Sequence, residues 1–396
     1  MRSLEFVKIS DLASPQFKAN PHPFYQRLRV ENPVCRTRFL GRRAWLVTRY
    51  DDVLNLLKDE RLTKDTSWAR WIHIVGGSIT RHMLNADGAD HERLRTLVNK
   101  AFAPGLAERL HQRIEAKCHE LLNALECDHN PDLVRGYALP LPLTVIAELL
   151  GFSPADRASF HRRSRSSLSP STIMGVLRAA PDQRLLIGLI RKVVKQRRLE
   201  PRDDLITALV QAEEAGDRLN QQELVATIFL LIIAGYETTA NVIASGALAL
   251  IENEREREQL IRNPRIEAQA VEELLRYTSP LDIATQRFAG EDLTINSTKV
   301  SRGDAIFVVL GSANRDESQF PEPHSLHLAR DPNRHIAFGR GLHFCLGAPL
   351  ARLEVRIALR TLFQRFPSLS LTSTRQALRW RRSLIVRGLA SLPVAF

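Results

Sequence analysis

From Leu224 to Ala234 the chain runs without glycine or proline through mostly apolar residues, and past Gly235 the helical spacing resumes from Ala240 to Ile251. Asn220, with Glu223 three residues on, forms a capping box at the start, so one helix of about 30 residues, ~45 Å long, is expected. Such a helix crosses a whole protein of this size, and the rest of the chain must be arranged around it. Its middle is interrupted by a polar island, Ala234-Gly235-Tyr236-Glu237-Thr238-Thr239. An acid and two hydroxyls inside a buried helix are costly unless they are hydrogen-bonded or used. Either the island faces solvent, with Thr238 bonding back to a carbonyl, or it serves a site in which a hydroxyl beside a carboxylate relays protons to bound dioxygen. Gly235 leaves room for a ligand beside the helix.

A second helix is expected over 265 to 277, where Ala270, Val271, Leu274 and Leu275 recur at helical spacing, and a third from Pro349 to Phe366. Strand signals are short: Ala44 to Thr48, Asp292 to Val300 around an Asn-Ser turn, and Ala305 to Leu310. The fold class is therefore mainly α with minor β. Of the 396 residues 44% are hydrophobic and 25% charged, a globular composition, and no repeat or low-complexity linker divides them. A single domain over 1–396 with a short lead-in, 1–19, is expected. The four cysteines form no CxxC pair, which excludes a disulfide scaffold or zinc ribbon and points to the reducing cytoplasm. The beginning of the chain lacks the apolar stretch of a signal peptide. The longest uncharged apolar run, Ile228 to Ala234, is far short of the ~18 residues of a bilayer span, so no membrane segment is expected. The net charge of +12 favours acidic partners, but no recognition motif or aromatic-basic interleaving supports nucleic acid.

The densest signal is Phe338-Gly-Arg-Gly-Leu-His-Phe-Cys345-Leu-Gly347, at the end of a loop, 314 to 343, rich in Asn, Asp, Pro, Gly and His. A cysteine just before a helix is favoured as thiolate by free N–H groups and the helix dipole, which is how an anionic metal ligand is held. Gly339, Gly341 and Gly347 permit positive φ and close backbone approach, so a flat partner can lie against the loop; a haem fits. The bland alternative is a buried structural cysteine beside a glycine-rich turn. A dinucleotide loop is a weak rival, because Phe344 stands where a third glycine would be needed, and zinc fails because His343-x-Cys345 has no second ligand pair nearby. Two further pairs say little alone: Glu273-Leu-Leu-Arg276, an acid and base on one helix face, and His91-Glu-Arg-Leu-Arg95, a histidine and arginine placed to grip carboxylates.

In this order and spacing, from about Asn20 to Leu392, the four motifs resemble the cytochrome P-450 family of haem-thiolate monooxygenases, specifically its soluble bacterial class. The resemblance implies the P-450 fold, with haem b between the long central helix and the cysteine loop. It makes Cys345 the axial ligand to the haem iron and places Phe338 on the sulfur side of the porphyrin. Gly339, Ala234 and Gly235 belong to the cofactor site in the same way. It assigns His91, Arg95, Arg287 and His343 to the propionates, and Glu237 and Thr238 to proton delivery. It makes Glu273 and Arg276 a buried structural pair joined by Arg330. Trp71, Ile72, Ile74, Ile79, Leu231, Ile283, Ala284, Leu384 and Ile385 match its substrate-contacting segments.

The implied activity is insertion of one oxygen atom from O2 into an apolar or amphipathic molecule, by hydroxylation or epoxidation; a macrolide, fatty acid, terpenoid or steroid would each fit the lining. With no dinucleotide fingerprint, NAD(P)H acts only indirectly, through a ferredoxin or flavodoxin and its reductase, which a basic protein with Arg340 and Lys100 can dock. The protein is expected to be a cytoplasmic monomer. The alternatives are a haem-binding sensor or carrier without turnover, and a peroxide-using or oxidative-coupling member of the family. The sensor has no need of Glu237-Thr238, and peroxide-using members commonly depart from that pair. A basic cluster, Arg157, His161, Arg162, Arg163 and Arg165, either attracts a carboxylate-bearing substrate or is a solvated face.

Overall fold

The computed structural model describes residues 6–39, 41–64, 77–102, 106–166, 173–214 and 219–396. The helices run in chain order as α1 (Pro15–Ala19), α2 (His22–Glu31), α3 (Tyr50–Lys58), α4 (Gly88–Ala101), α5 (Leu106–Glu126), α6 (Pro140–Leu149) and α7 (Pro154–Ser166). They continue as α8 (Ile173–Leu199), α9 (Leu205–Glu214), α10 (Gln221–Glu252), α11 (Glu254–Arg262), α12 (Glu267–Thr278), α13 (Leu310–Ala313) and α14 (Ala348–Arg365). The strands are β1 (Val34–Phe39), β2 (Arg42–Val47), β3 (Leu62–Thr63), β4 (Arg287–Ala289), β5 (Leu293–Ile295), β6 (Thr298–Val300), β7 (Ala305–Val308), β8 (Ser370–Leu371) and β9 (Val394–Ala395). The protein is mainly α with minor β, as expected.

The capping box at the head of α10 is complete. Asn220 Oδ1 accepts from the amides of Gln222 and Glu223 at 2.9 Å, and Glu223 Oε2 accepts from the Asn220 amide at 2.9 Å. These bonds satisfy donors that a helix start otherwise leaves unpaired. The helix spans 32 residues. One of its windows is apolar enough to cross a bilayer, with mean hydropathy 1.5, yet 67% of that window is buried within the protein.

The chain divides into two compact units: Met1–Thr63 with Ile114–Leu139 and Thr238–Phe396, and Lys64–Arg113 with Pro140–Glu237. The first carries a five-stranded sheet of order β1-β2-β7-β4-β3, in which β2 and β7 are parallel and the other pairs antiparallel. Every residue of β7 is buried, and one cluster gathers Trp45, Val47, Ile306 and Val308 with Tyr50 and Phe320. The hairpin β5–β6 turns on Asn296 and Ser297, both at positive φ (44° and 67°), as a two-residue turn matched to strand twist requires. Helix α12 ends as Ser279 enters the left-handed region, a common helix stop.

The second unit is helical. Nearly every residue of α6 is buried, as an all-round apolar helix must be. At its end Gly151 has φ +74° and a Cβ there would lie 2.1 Å from Asp204 Oδ2, so only glycine fits. Asp204 is held in turn by a buried ion pair with Arg197, whose Nη2 donates to the Gly151 carbonyl at 2.6 Å. The basic cluster of α7 is mostly committed locally: Arg157 pairs with Glu148 at 2.9 Å and Arg163 with Asp182 at 3.6 Å, while Arg162 is exposed. The Arg165 side chain lies outside the described residues.

Candidate active site

The loop before α14 has the conformation its glycines suggested, with one exception. Gly339 and Gly341 adopt φ +72° and +73°, and a Cβ on Gly341 would stand 2.6 Å from the Leu57 carbonyl oxygen at the end of α3. Gly347 instead has φ −79° and nothing within 4 Å of a built Cβ. It is the N-cap of α14, where glycine is among the accepted residues, so the positive φ it permits is not used there. The Cys345 amide donates to the Phe338 carbonyl at 3.0 Å and closes the loop, leaving Cys345 half-buried two residues before that N-cap. The free N–H groups of α14 and its dipole favour a negative sulfur at this place.

Behind the loop lies a cluster that no sequence motif announced. Arg352, one turn into α14, stacks its guanidinium over the Phe338 ring at 4.6 Å. It also grips Glu272 of α12 with both prongs, at 2.6 and 2.8 Å, and Glu272 takes a third bond from His335 Nε2 at 2.9 Å. Burial alone would raise the Glu272 carboxyl, but the hydrogen bonds and charges of Arg352 and His335 outweigh it and hold it at about 2. The bond to Glu272 raises Arg352 in turn, and the field of Cys345 adds to that. A carboxyl held below its ordinary 4.5 contributes stability that is fully present above that value and lost as pH falls toward 2. Glu272→Gln is therefore expected to remove on the order of 2 kcal/mol at pH 7 and to flatten stability across that acid window. Urea denaturation as a function of pH checks this; an acid limb unchanged in the variant contradicts it.

Next to Glu272 on α12, Glu273 and Arg276 are fully buried and fork-paired at 2.7 and 2.8 Å. Arg330 Nε donates to both oxygens of Glu273, at 3.2 and 3.1 Å, and Asn333 Nδ2 and the His327 amide add bonds at 3.1 and 3.0 Å. The remaining donors of Arg276 reach the carbonyls of Asn314, Pro323 and Ser325. One buried acid thus ties α12 to the long loop that ends in Cys345.

On α10, Glu237 and Thr239 are each 3% exposed, so the island does not simply face solvent. Within this largely buried helix, Ala234 is exposed and Gly235 and Thr238 are half-exposed, on the face they share at helical spacing with Leu231. Tyr236, which sequence reasoning passed over, is fully buried and donates its hydroxyl to the Ser164 carbonyl at 2.5 Å, tying α10 to α7. On α4, His91 and Arg95 share a face; His91 is buried with Nδ1 2.8 Å from the Met83 carbonyl. That oxygen only accepts, so Nδ1 carries the hydrogen.

The cytochrome P450 family model matches residues 178–264 and 265–387, more than half of the chain. The chain belongs to the cytochrome P-450 family. The polyketide biosynthesis cytochrome P-450 PksS of Bacillus subtilis (strain 168) is 43% identical over 96% of both chains. A solved structure of Bacillus subtilis PksS, described as of the bacillaene polyketide synthase, superposes with TM-score 0.91 at 42% identity, covering 97% of this chain and 98% of that one. The myxobacterial P-450 CYP267B1, solved with myristic acid, gives TM-score 0.90 at 38% identity over 98% of both chains. The protein is thus a haem-thiolate monooxygenase, an oxidoreductase that inserts one oxygen atom from O2 into an organic molecule.

The residues fit that P-450 cofactor. A half-buried cysteine at a helix N-terminus offers the soft anionic ligand iron takes, and beside it Gly339 adopts φ +72° with nothing within 4 Å of a built Cβ. Arg287, in β4, is buried and donates to the Thr285 carbonyl at 3.3 Å; His343 ends a short 3-10 turn, Gly341–His343, and is half-buried. Ile283 and Ala284 are buried, Ala284 within the sheet cluster, and the Ile283 amide donates to the Ile385 carbonyl at 3.2 Å. Leu384 and Ile385 are half-buried, as is Ile79, and Leu231 is 9% exposed. Trp71, Ile72 and Ile74 lie outside the described residues.

Proposed function

We propose that the whole chain acts as one P-450 module, with Cys345 as axial ligand to haem b, oxygenating a long apolar carbon chain of the polyketide or fatty-acyl kind. The observation that carries this reading is the Cys345 loop, closed on the Phe338 carbonyl at the N-terminus of α14. Haem supplies the reduction and cleavage of O2 and the transfer of one oxygen atom. The protein's part is to hold that group, exclude water and move protons.

Arg95, Arg287, His343 and His91 hold the two propionates, which need cationic or hydrogen-bonding partners. The bond from Nδ1 to the Met83 carbonyl fixes the orientation of the His91 ring. Phe338, Gly339, Ala234 and Gly235 would be among the residues that hold the cofactor. Glu237 takes up a proton at its carboxyl, and the Thr238 hydroxyl passes one on from its Oγ1. Leu231, Ile283, Ala284, Leu384, Ile385 and Ile79 contribute to the substrate lining, with Trp71, Ile72 and Ile74. The polyketide in the name of PksS and the myristic acid of CYP267B1 are both apolar chains, which supports this substrate class. Electrons come from NAD(P)H through a reductase and a ferredoxin or flavodoxin, attracted by the +12 charge and by exposed Arg340 and Lys100. The protein works as a cytoplasmic monomer, in keeping with four free cysteines.

Reconstitution with ferredoxin, its reductase, NADPH and a long-chain fatty acid is expected to give a monooxygenated product. In Thr238→Ala, cofactor oxidation continues while product per NADPH falls about tenfold or more and hydrogen peroxide rises. Unchanged coupling in that variant contradicts the proton-delivery role.

A further inference from the structure

Away from every residue assigned above, the first unit contains a cavity of about 300 Å³ bounded by the start of α2, the C-terminal half of α10, the end of α12 and the segment around Trp380. Three arginines, Arg315, Arg375 and Arg387, line it against one carboxylate, Glu252, which is already ion-paired with Arg375. Arg315 and Arg387 are 4% and 6% exposed, and among the described residues neither is in an ion pair. Arg387 stacks on Trp380 at 4.3 Å and donates to the carbonyls of Lys18, Ala19 and Thr278. Arg315 stacks on Tyr277 at 3.9 Å and donates Nη2 to the Tyr277 carbonyl, while its buried Nε has no partner.

The neighbouring acids are committed elsewhere: Asp282 to Lys18 at 2.5 Å and Tyr25 at 2.9 Å, and Glu317 to Arg29 at 3.0 Å and His324 at 3.7 Å. Burial and the guanidiniums around it push the buried Arg315 down to about 9 and hold His22 well below its ordinary range. Two more polar atoms on the cavity lining are buried without a partner, His22 Nδ1 and Ser245 Oγ. Buried guanidiniums without counter-charge are costly, and a lining that leaves three polar atoms unsatisfied as well is incomplete without a ligand.

We propose that this cavity binds one phosphate group, as free phosphate or as the head of a small phosphate ester. Phosphate fits better than a carboxylate: three guanidiniums against one acid leave an excess that a dianion matches, and its several oxygens can take up Arg315 Nε, Ser245 Oγ and His22 together.

The test uses purified holoenzyme in chloride at fixed ionic strength, titrated with inorganic phosphate, glycerol phosphate and acetate, and read by calorimetry and by thermal midpoint. Saturable binding of phosphate, with a midpoint that rises and levels off, is expected, and acetate binds about tenfold more weakly or not at all. Tighter binding of inorganic phosphate assigns the site to the free ion, and tighter binding of glycerol phosphate to an ester. Arg315→Gln and, as a variant that removes only a hydroxyl, Ser245→Ala are each expected to weaken phosphate binding, the first by about tenfold or more. Both are compared at equal haem content. A midpoint that climbs linearly with phosphate, as general exclusion of the salt from the surface would give, overturns the proposal. So does saturable binding that is the same in both variants.

Discussion

Glu273→Ala is expected to destabilise the protein by about 3–5 kcal/mol, a large part of the whole stability of a typical domain. The cause is what the missing carboxylate leaves behind. Arg276 is fully buried, and Glu273 is its only acid partner among the described residues. Arg330 Nε and Asn333 Nδ2 lose their acceptor at the same time, and the His327 amide with them. A guanidinium stranded without counter-charge costs far more than the pair gains, so Glu273→Ala is expected to be worse than any exposed charge change, such as Arg162→Ala, which should stay within about 0.5 kcal/mol. Because Glu273 tethers the loop leading to Cys345, haem content should fall together with stability. Urea denaturation with haem absorbance checks this; a loss below 1 kcal/mol contradicts it.

Cys345→Ala is expected to abolish product formation while leaving the fold intact. Cys345 is only half-buried, and its backbone bond to the Phe338 carbonyl does not depend on the side chain. The cost to stability of the apoprotein should therefore be about 1 kcal/mol or less. The loss of activity should be complete, because a thiolate held at this place would tune a bound haem iron for O–O cleavage, and none of the other three cysteines stands at a helix N-terminus beside this loop. Product formation with the full electron-transfer chain, measured beside a denaturation curve, separates the two effects. Wild-type turnover in the variant contradicts the assignment.

The parts of this protein that can be read from the chain are those specified by neighbours in sequence. The Asn220–Glu223 box and the apolar spacing after it are local, and α10 begins one residue beyond the box's first member. The Asn296-Ser297 turn likewise carries its own conformational preference. Strand β1 does not: Val34–Phe39 carries arginines at 36 and 38, and it is a strand because β2 lies against it in register. The same holds for β4, three residues long, which carries Arg287.

At the site, the cysteine loop and the Glu273-Arg276 pair are contiguous or three apart and so were visible. Arg330 was placed by family resemblance, since it lies 57 residues from Glu273. Glu272, His335 and Arg352 escaped notice because they meet across 63 and 80 residues, and no spacing rule connects them. The arginines, imidazole and hydroxyl around the cavity lined by Arg315 were invisible for the same reason. Gly347 permits positive φ without using it; a glycine in a loop and a glycine at an N-cap look alike until the helix start is located.

The most direct test of the central claim is the reduced, CO-bound difference spectrum of the purified protein, since it reports the ligand opposite CO. The red-shifted band of thiolate ligation, lost in Cys345→Ala, is the result expected. A band of nitrogen ligation in the freshly reduced wild-type protein, or a thiolate band that survives in Cys345→Ala, contradicts Cys345 as the axial ligand.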